Sequence, residues 1–419
     1  MALEYREERN LNIEKQIEKL LENSPDYVKN FYKNMHNGKR EITTQLSYIR
    51  DVINFIQYEK NNLKEFEEKE TKDVPISVFD QLSLHDLNEY RDFLKKERNL
   101  ANPSIKKVFA SISAFYSFLN MQEYTSNNPM QFFEVPAVNK KKIIKLDSEL
   151  SNKLLDGILS NDKYLIESDA GDSVIDIDDT TRIKRERLVL RNYAICCLFL
   201  GSGLRVSELV GLDLDDINFR QSSLTIIAKG GDETSVFFGE DVSLALRNYI
   251  NGPEKSDEYK TAFKQDDEKL NWCNEHKFDS NFMKKLINDF PDCDESFKMS
   301  MVRLRNSLLR QGRQALNPKK GCDAVFITTR GTRMSVRSVE LMIKEMVKTY
   351  LPEYDDKDKF SPHKLRATCA TRILTQTGDI QLASTQLNHK GIAVTSAFYA
   401  ELQKEKQKDK IKNLDINNW

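Results

Sequence analysis

The chain has 419 residues, with 64 Lys or Arg against 65 Asp or Glu, so its formal charge is −1. This length indicates more than one domain, each able to bury a hydrophobic core. A mean hydropathy of −0.60, without an apolar run near the ~20 residues that cross a bilayer, predicts a globular protein with no membrane span. The N-terminus lacks the apolar stretch of a signal peptide and the six cysteines are too few for a disulfide framework. We therefore expect a cytoplasmic protein.

The charge is unevenly distributed. Residues 160–180 carry a net charge of −6 and residues 254–295 a net charge of −5, which leaves +10 on the remainder. We interpret the body as basic, with acidic insertions near 160–180 and 254–320 that face solvent or a partner protein. Cys273, His276 and Cys293 lie in the second insertion, but a fourth ligand at zinc spacing is missing, so we predict no metal site.

Residues 1–136 are predicted to be helical throughout and to form one domain. Apolar residues recur at three- and four-residue spacing from Ile42 to Ile56, as on the buried face of a helix. Ser83 is a helix N-cap residue, and Pro103 belongs to the first turn of another helix. We expect four or five helices with short breaks between them.

Residues 137–146 are predicted to be a linker between two domains. The basic residues of this segment are Lys140, Lys141, Lys142 and Lys145. Two interpretations stay open: a solvated linker, or a basic strap along a nucleic-acid phosphate backbone.

The second domain, residues 147–419, is predicted to be mainly helical with a small antiparallel sheet. Leu224–Lys229 and Thr234–Phe238 flank a Gly-Gly turn, which is typical of a β-hairpin. The apolar run Ala324–Thr328 is a candidate third strand. The fold class is therefore mainly α, with a mixed, α-dominated second domain.

Two motifs bring cations to helix starts. In Gly201-Ser-Gly-Leu-Arg205-Val-Ser-Glu208, Arg205 and Glu208 share one helix face; an ordinary surface ion pair is the alternative interpretation. In Ser361-Pro-His363-Lys-Leu-Arg366, His363 and Arg366 fall in the first turn, where free N–H groups attract anions. A capped helix with incidental charges also fits this second motif.

Three further residues are ambiguous when each is taken alone. Lys229 fits a solvated hairpin tip, His389 fits a helix end, and Tyr399 is one of fifteen tyrosines. Together with the motifs they form a set suited to phosphoryl transfer. Two arginines clamp one phosphodiester, histidines move protons, a lysine protonates the leaving oxygen and a tyrosine attacks phosphorus. The arginines neutralise the phosphate, so the chemistry needs no metal.

The order Arg205, Lys229, His363-x-x-Arg366, Leu387-Asn-His389-Lys-Gly, Phe398-Tyr399 resembles the tyrosine recombinase (phage integrase) family. The resemblance covers nearly the whole chain, since residues 41–136 look like the family's helical, SAM-like core-binding domain. The N-terminal part is most similar to the Xer-like branch, especially the single-protein Xer recombinases of Firmicutes. Two positions depart from the family pattern: Asn388 stands where a glycine is commoner, and Ala367 where a second histidine is frequent.

This resemblance implies a role for each residue. Arg205 and Arg366 bind the scissile phosphate, and Lys229 is the general acid. His363 and His389 assist proton transfer and phosphate binding, with Glu208 in support. Tyr399 is the nucleophile that forms a 3′-phosphotyrosine, without metal, ATP or other cofactor.

It also implies the partners and the biological role. The partner is double-stranded DNA with a specific recombination site, bound by a homotetramer on two paired sites; a monomer in solution and a regulatory protein partner stay open. The cell would be bacterial and the protein nucleoid-associated, acting in chromosome partition and cell division through dimer resolution. Integration of a mobile element is the alternative. A type IB topoisomerase-like enzyme and a catalytically silent DNA-binding regulator are further rivals.

Overall fold

The computed structural model describes residues 2–63, 65–66, 68–137, 144–160, 179–228, 231–252, 272–273, 282–299, 301–302 and 312–388, and then 396, 399–400, 403–404 and 407. The chain divides into two compact units, Leu3–Lys142 and Ile143–Trp419. No helix in these described ranges is long and apolar enough to cross a membrane.

The N-terminal unit is a helical bundle around an aromatic-rich core. Its described helices are α1 (Ala2–Glu22), α2 (Asp26–Asn37), α3 (Ile42–Asn62), α4 (Ser77–Gln81), α5 (Leu84–Lys96) and α6 (Asn102–Met121). These are six helices, where the sequence predicted four or five. The first two helices belong to the same core, because Ile17 and Phe31 are buried in one cluster with Phe55 and Phe115.

Local sequence signals explain where these helices begin. In α3, the residues at helical spacing from Leu46 to Ile56 are buried, as predicted. At the start of α5, the Ser83 side chain accepts from the backbone N–H of His85, and Asp86 accepts from the backbone N–H of Ser83. This reciprocal cap confirms Ser83 as the N-cap residue. Pro103 lies in the first turn of α6, where a missing N–H costs nothing.

The C-terminal unit is built around one buried helix. Its described helices are α7 (Ser148–Leu159), α8 (Asp179–Ser202), α9 (Val206–Gly211), α10 (Glu240–Asn251), α11 (Phe282–Asp289), α12 (Val336–Tyr350), α13 (Pro362–Thr377) and α14 (Ile380–Gln386). The residues from Ala194 to Leu200 in α8 are all buried, and α8 contacts α7, α10 and α13. Cys196 and Cys197 are core residues of this helix, as expected.

One small antiparallel sheet accompanies the helices, in the order β1 (Ile217–Asn218), β2 (Ser223–Ile227), β3 (Glu233–Phe237). Strands β2 and β3 form the predicted hairpin, with Ser223 opposite Phe237 and Ile227 opposite Glu233. A mainly α fold with one small antiparallel sheet is therefore confirmed.

The prediction of a strand at Ala324–Thr328 was wrong, and the third strand is Ile217–Asn218. The 324–328 run makes only isolated bridges, Asp213 to Ala324 and Ile327 to Arg333. Residues 324–327 are all buried, and the buried Arg313 guanidinium donates to the carbonyl of Ala324 at 2.8 Å. The apolar run fills the core. Side-chain donors and separate backbone hydrogen bonds, such as Val325 N–H to the Leu212 carbonyl at 2.9 Å, hold it in place of a continuous strand ladder.

The two acidic insertions fall largely outside the described residues. Of the candidate zinc ligands, Cys273 is buried with Leu286 and Met301, Cys293 is partly buried, and His276 lies outside the described residues.

Candidate active site

Arg205 is the residue immediately before helix α9, and Glu208 lies in the first turn of that helix. The Glu208 carboxylate accepts from the Arg205 backbone N–H at 2.7 Å and from its Nη1 at 2.5 Å. Glu208 is only 8% exposed, whereas the Arg205 side chain keeps 30% of its surface. The predicted pairing of the two residues is present, and the carboxylate both starts the helix and holds the guanidinium.

Arg366 is the fifth residue of α13, just beyond the predicted first turn, and its side chain is buried. Ser361 occupies the N-cap position without a side-chain cap bond, and Pro362 is the first helical residue. Arg366 is only 4% exposed; its Nη1 donates to the Gly203 carbonyl at 2.5 Å and its Nη2 to the Leu387 carbonyl. Glu208 lies 3.7 Å from Arg366, so one carboxylate serves both arginines.

The end of helix α14 supplies backbone acceptors to both guanidinium groups. The Leu387 carbonyl accepts from Arg366, and the next carbonyl, that of Asn388, accepts from Arg205 Nη2 at 2.9 Å. Asn388 has a φ of 47°, in the left-handed region that glycine adopts most easily and asparagine next. This conformation explains why asparagine can stand at a position where the resemblance predicts glycine. These carbonyl contacts were not predicted from the sequence, and Asn388 was the one residue that could have indicated them.

The turn before Arg205 requires its glycine. Gly203 has a φ of 68°, and a Cβ there would lie 2.4 Å from Leu387 Cδ2. The absence of a side chain lets the 203 carbonyl approach Arg366.

Burial and neighbouring positive charges lower the pKa values of Arg366 and His363. Loss of water, together with the positive charge of Arg205, lowers the pKa of Arg366 to about 10, while the Glu208 carboxylate opposes the change. Arg366 is therefore still a cation at neutral pH. The His363 side chain is exposed at the surface, yet neighbouring protein atoms displace water from it and lower its pKa, with Arg366, Lys364 and Arg205 adding to the effect. His363 is thus biased toward the neutral imidazole.

Of the remaining predicted residues, Tyr399 and Lys145 belong to the part of the chain that the structure describes. Lys229 and His389 lie outside the described residues, as do Lys140, Lys141 and Lys142. Tyr399 packs against the small cluster of Leu374 and Ala383, about two turns beyond Arg366 along α13. Its hydroxyl makes no hydrogen bond to any residue that the structure describes. Lys145 is the predicted linker lysine that the structure describes. Its backbone carbonyl accepts from the Tyr354 hydroxyl at 3.0 Å, within the C-terminal unit.

The arrangement is suited to binding a single tetrahedral anion. Each guanidinium has five N–H donors and uses two of them in the protein contacts described above. Both groups therefore keep N–H donors for a bound anion. The protein acceptors fix the two planar groups in place before a ligand arrives. Two cations share one carboxylate, which leaves a net positive charge. Among the described residues, no three His, Cys, Asp or Glu side chains form a cluster that could hold a metal ion.

Comparison with known proteins agrees with this geometry. The phage integrase family model matches residues 172–406, more than half of the chain. The chain belongs to the phage integrase family.

Similar members of this family carry the name tyrosine recombinase. XerC of Caldanaerobacter subterraneus subsp. tengcongensis is 25% identical, over 86% of this chain and 78% of its own. XerS of Lactococcus lactis subsp. lactis is 24% identical, over 95% of this chain and 98% of its own. The resemblance to the Xer-like branch is thereby confirmed, and the protein is a tyrosine site-specific recombinase.

A solved structure shares the fold. The integrase of transposon Tn1549, in complex with circular intermediate DNA, superposes with a TM-score of 0.53 at 16% identity. The match covers 89% of this chain and 94% of that one.

Proposed function

We propose that this recombinase cuts and rejoins double-stranded DNA at a specific site, in an Xer-like role such as resolution of chromosome or plasmid dimers. The observation that carries the proposal is the arginine pair, held on Glu208 and on backbone carbonyls with donors left for one phosphodiester. The Xer-named relatives, which match nearly the whole chain, support the Xer-like role. The shared fold with a transposon integrase leaves integration of a mobile element as the alternative, with the same chemistry.

The proposed reaction uses one phosphodiester and no cofactor. The Tyr399 oxygen attacks phosphorus while Arg205 and Arg366 hold the nonbridging oxygens. The bond from phosphorus to the 5′ oxygen breaks, and that oxygen takes a proton from Lys229 to leave as a 5′ hydroxyl. His363, neutral at pH 7 in the free protein, accepts the tyrosine proton, and His389 assists at the phosphate. Reversal with a different 5′ hydroxyl rejoins the strand.

The two units divide the DNA contacts in this proposal. The Leu3–Lys142 unit is the core-binding domain, the Ile143–Trp419 unit is the catalytic domain, and Lys140, Lys141, Lys142 and Lys145 follow the phosphate backbone between them. A homotetramer pairs two sites. The acidic insertions face solvent or a regulatory protein.

The decisive experiment is trapping of the covalent intermediate. Wild type and Tyr399→Phe are incubated in EDTA with nicked duplexes that carry candidate recombination sites, and the products are run on a denaturing gel. We expect a protein–DNA band for wild type and none for Tyr399→Phe, with equal DNA binding by both. A silent DNA-binding regulator predicts no band for either protein.

A second assay separates recombination from simple nicking and closing. A supercoiled plasmid with two directly repeated sites should yield two circles with the recombinase. A topoisomerase-like enzyme would instead relax plasmids that lack the sites.

A further inference from the structure

Gln386, the last residue of α14, joins three segments of the catalytic unit. Its amide Nε2 donates to the Phe237 carbonyl at 2.6 Å and to the Ser202 carbonyl at 3.2 Å. Its Oε1 accepts from the Phe237 backbone N–H at 3.4 Å. The Gln386 side chain therefore contacts both the hairpin and the end of α8. The Gln386 backbone continues directly into Leu387.

The contact with Phe237 resembles a strand pairing. Strand β3 is at the edge of the described sheet, with β2 on its other side. Both backbone groups of Phe237 bond to the Gln386 amide, which presents a donor and an acceptor to this strand in one plane, as a peptide group does. The amide thus completes the free edge of the hairpin at its base, opposite Ser223.

Gln386 is followed directly by two residues whose carbonyls contact the proposed catalytic arginines. Leu387 accepts from Arg366 and Asn388 accepts from Arg205. The hairpin and both arginines are therefore attached to successive residues of one short segment. Lys229 lies outside the described residues, but in the sequence it falls between β2 and β3, the two strands of this hairpin.

We propose that Gln386 is a positioning residue that fixes the hairpin, and hence the proposed general acid Lys229, relative to the arginine pair. This inference rests on the proposed function. In this proposal the two tasks of the segment are separate. Phosphate binding by the arginines needs only the backbone carbonyls of Leu387 and Asn388, whereas protonation of the leaving group also needs the Gln386 amide.

A change of leaving group tests that separation. Suicide duplexes are prepared with oxygen or with sulfur as the 5′ bridging atom of the scissile phosphate. A thiolate leaves without a proton because thiols are much stronger acids than alcohols, so the sulfur duplex needs no general acid. In both cases the tyrosine oxygen bonds to phosphorus, and the bond from phosphorus to the 5′ oxygen or 5′ sulfur breaks.

The variants are Gln386→Met, which keeps the length but has no hydrogen-bonding amide, and Gln386→Glu, which keeps only the acceptor. For Gln386→Met we expect adduct formation to be about 10-fold slower on the oxygen duplex, because general-acid catalysis is partly lost. On the sulfur duplex we expect it to be less than about 2-fold slower. For Gln386→Glu we expect the same selectivity, with a larger loss because a carboxylate faces the Ser202 and Phe237 carbonyls. The matched control is Gln381→Met, an exposed residue of the same helix, which should act like wild type on both duplexes.

Each outcome bears on a different statement. Equal slowing of Gln386→Met on both duplexes, or no slowing, overturns the positioning role. A fall in Tm of more than about 10 °C for both variants also overturns it, because Gln386 would then stabilise the whole unit. If wild type forms no adduct on either duplex, the proposed function fails instead. If Lys229→Ala is not rescued by sulfur, the assignment of Lys229 as the acid fails.

Discussion

Asn388 contributes its backbone to the site rather than its side chain. Its carbonyl accepts from Arg205 in a left-handed conformation, and its side-chain Nδ2 is buried without a hydrogen-bond partner among the described residues. We expect Asn388→Gly to keep wild-type adduct formation and to stay within about 1 kcal/mol of its stability, because glycine adopts this φ freely. Asn388→Ala should lose about 1 kcal/mol and react more slowly, because Cβ opposes the conformation. The comparison needs only Tm values and single-turnover rates, and equal damage in both variants would show that the amide side chain matters.

His363 gives the reaction a predicted pH dependence. Its pKa is lowered by loss of water and by Arg366, so the neutral form persists below the ordinary histidine value of about 6.5. If neutral His363 accepts the tyrosine proton, adduct formation at limiting DNA should be constant at neutral pH and fall on acidification, with a midpoint below about 6.5. The measurement is the second-order rate of adduct formation from pH 5 to pH 8.

A variant at the same position tests whether His363 causes the fall in rate at low pH. His363→Gln keeps a polar side chain that does not titrate, so its slower reaction should be independent of pH over this range. An unchanged acid limb in His363→Gln would assign the titration to another group.

At the scale of a secondary-structure element, helix α3 carries a buried carboxyl. Glu59 is 3% exposed, and its Oε1 has no hydrogen-bond partner among the described residues. Burial, with Asp86 and Glu89 nearby, raises the pKa of Glu59 to about 8. The folded protein therefore keeps this proton between about pH 4.5 and pH 8 while the unfolded chain releases it. Stability is fully present at low pH and is lost as the pH rises.

Glu59→Gln should remove this pH dependence, since its amide imitates the neutral acid. We expect the variant to exceed the stability of wild type by less than about 1 kcal/mol at pH 5 and by much more at pH 8. The gain should approach roughly 4 kcal/mol, at about 1.4 kcal/mol for each pKa unit. Urea denaturation at the two pH values measures it. Glu97→Gln, an exposed change in the same unit, should alter neither curve; a constant difference between Glu59→Gln and wild type at both pH values would contradict the prediction.

The elements that the sequence predicted well are those with a local signal. Helical spacing identified α3, the Ser83 cap identified the start of α5, and the Gly-Gly turn identified the hairpin. The run at Ala324–Thr328 has no such signal, because a continuous apolar stretch fits a buried strand and buried irregular backbone equally well.

The same reasoning applies to the candidate site. Arg205, Glu208 and Arg366 were predicted from residue types, and the structure brings these three together. Their backbone acceptors at Gly203, Leu387 and Asn388 could not be predicted, since every residue has a carbonyl and only the fold selects which ones converge. Likewise, nothing in the sequence distinguishes Gln386 from the chain's other glutamines before its contact with the edge of β3 is known.

At the scale of the whole molecule, the N-terminal unit has a large hydrophobic interior of its own. The large hydrophobic cluster that includes Ile17, Phe55 and Phe115 ends at Phe133, before the unit boundary at Lys142. Several of its aromatic rings pack edge to face, as Phe79 does on Phe115 with centroids 5.5 Å apart. A cluster of this kind, complete within about 140 residues, is large enough to sustain a cooperative fold.

The fragment Leu3–Lys142 should therefore fold alone and unfold in one cooperative transition. We expect the Tm of that transition to coincide with one of the transitions of the full chain. At pH 8, Glu59→Gln should raise this Tm equally in the fragment and in the full chain, because the residues around Glu59 all belong to this unit. Calorimetry of both proteins, with and without the substitution, tests the statement. A fragment that binds hydrophobic dyes and lacks a heat-absorption peak would show that the core depends on the rest of the chain. A shift confined to the fragment would show that the units unfold together in the full chain.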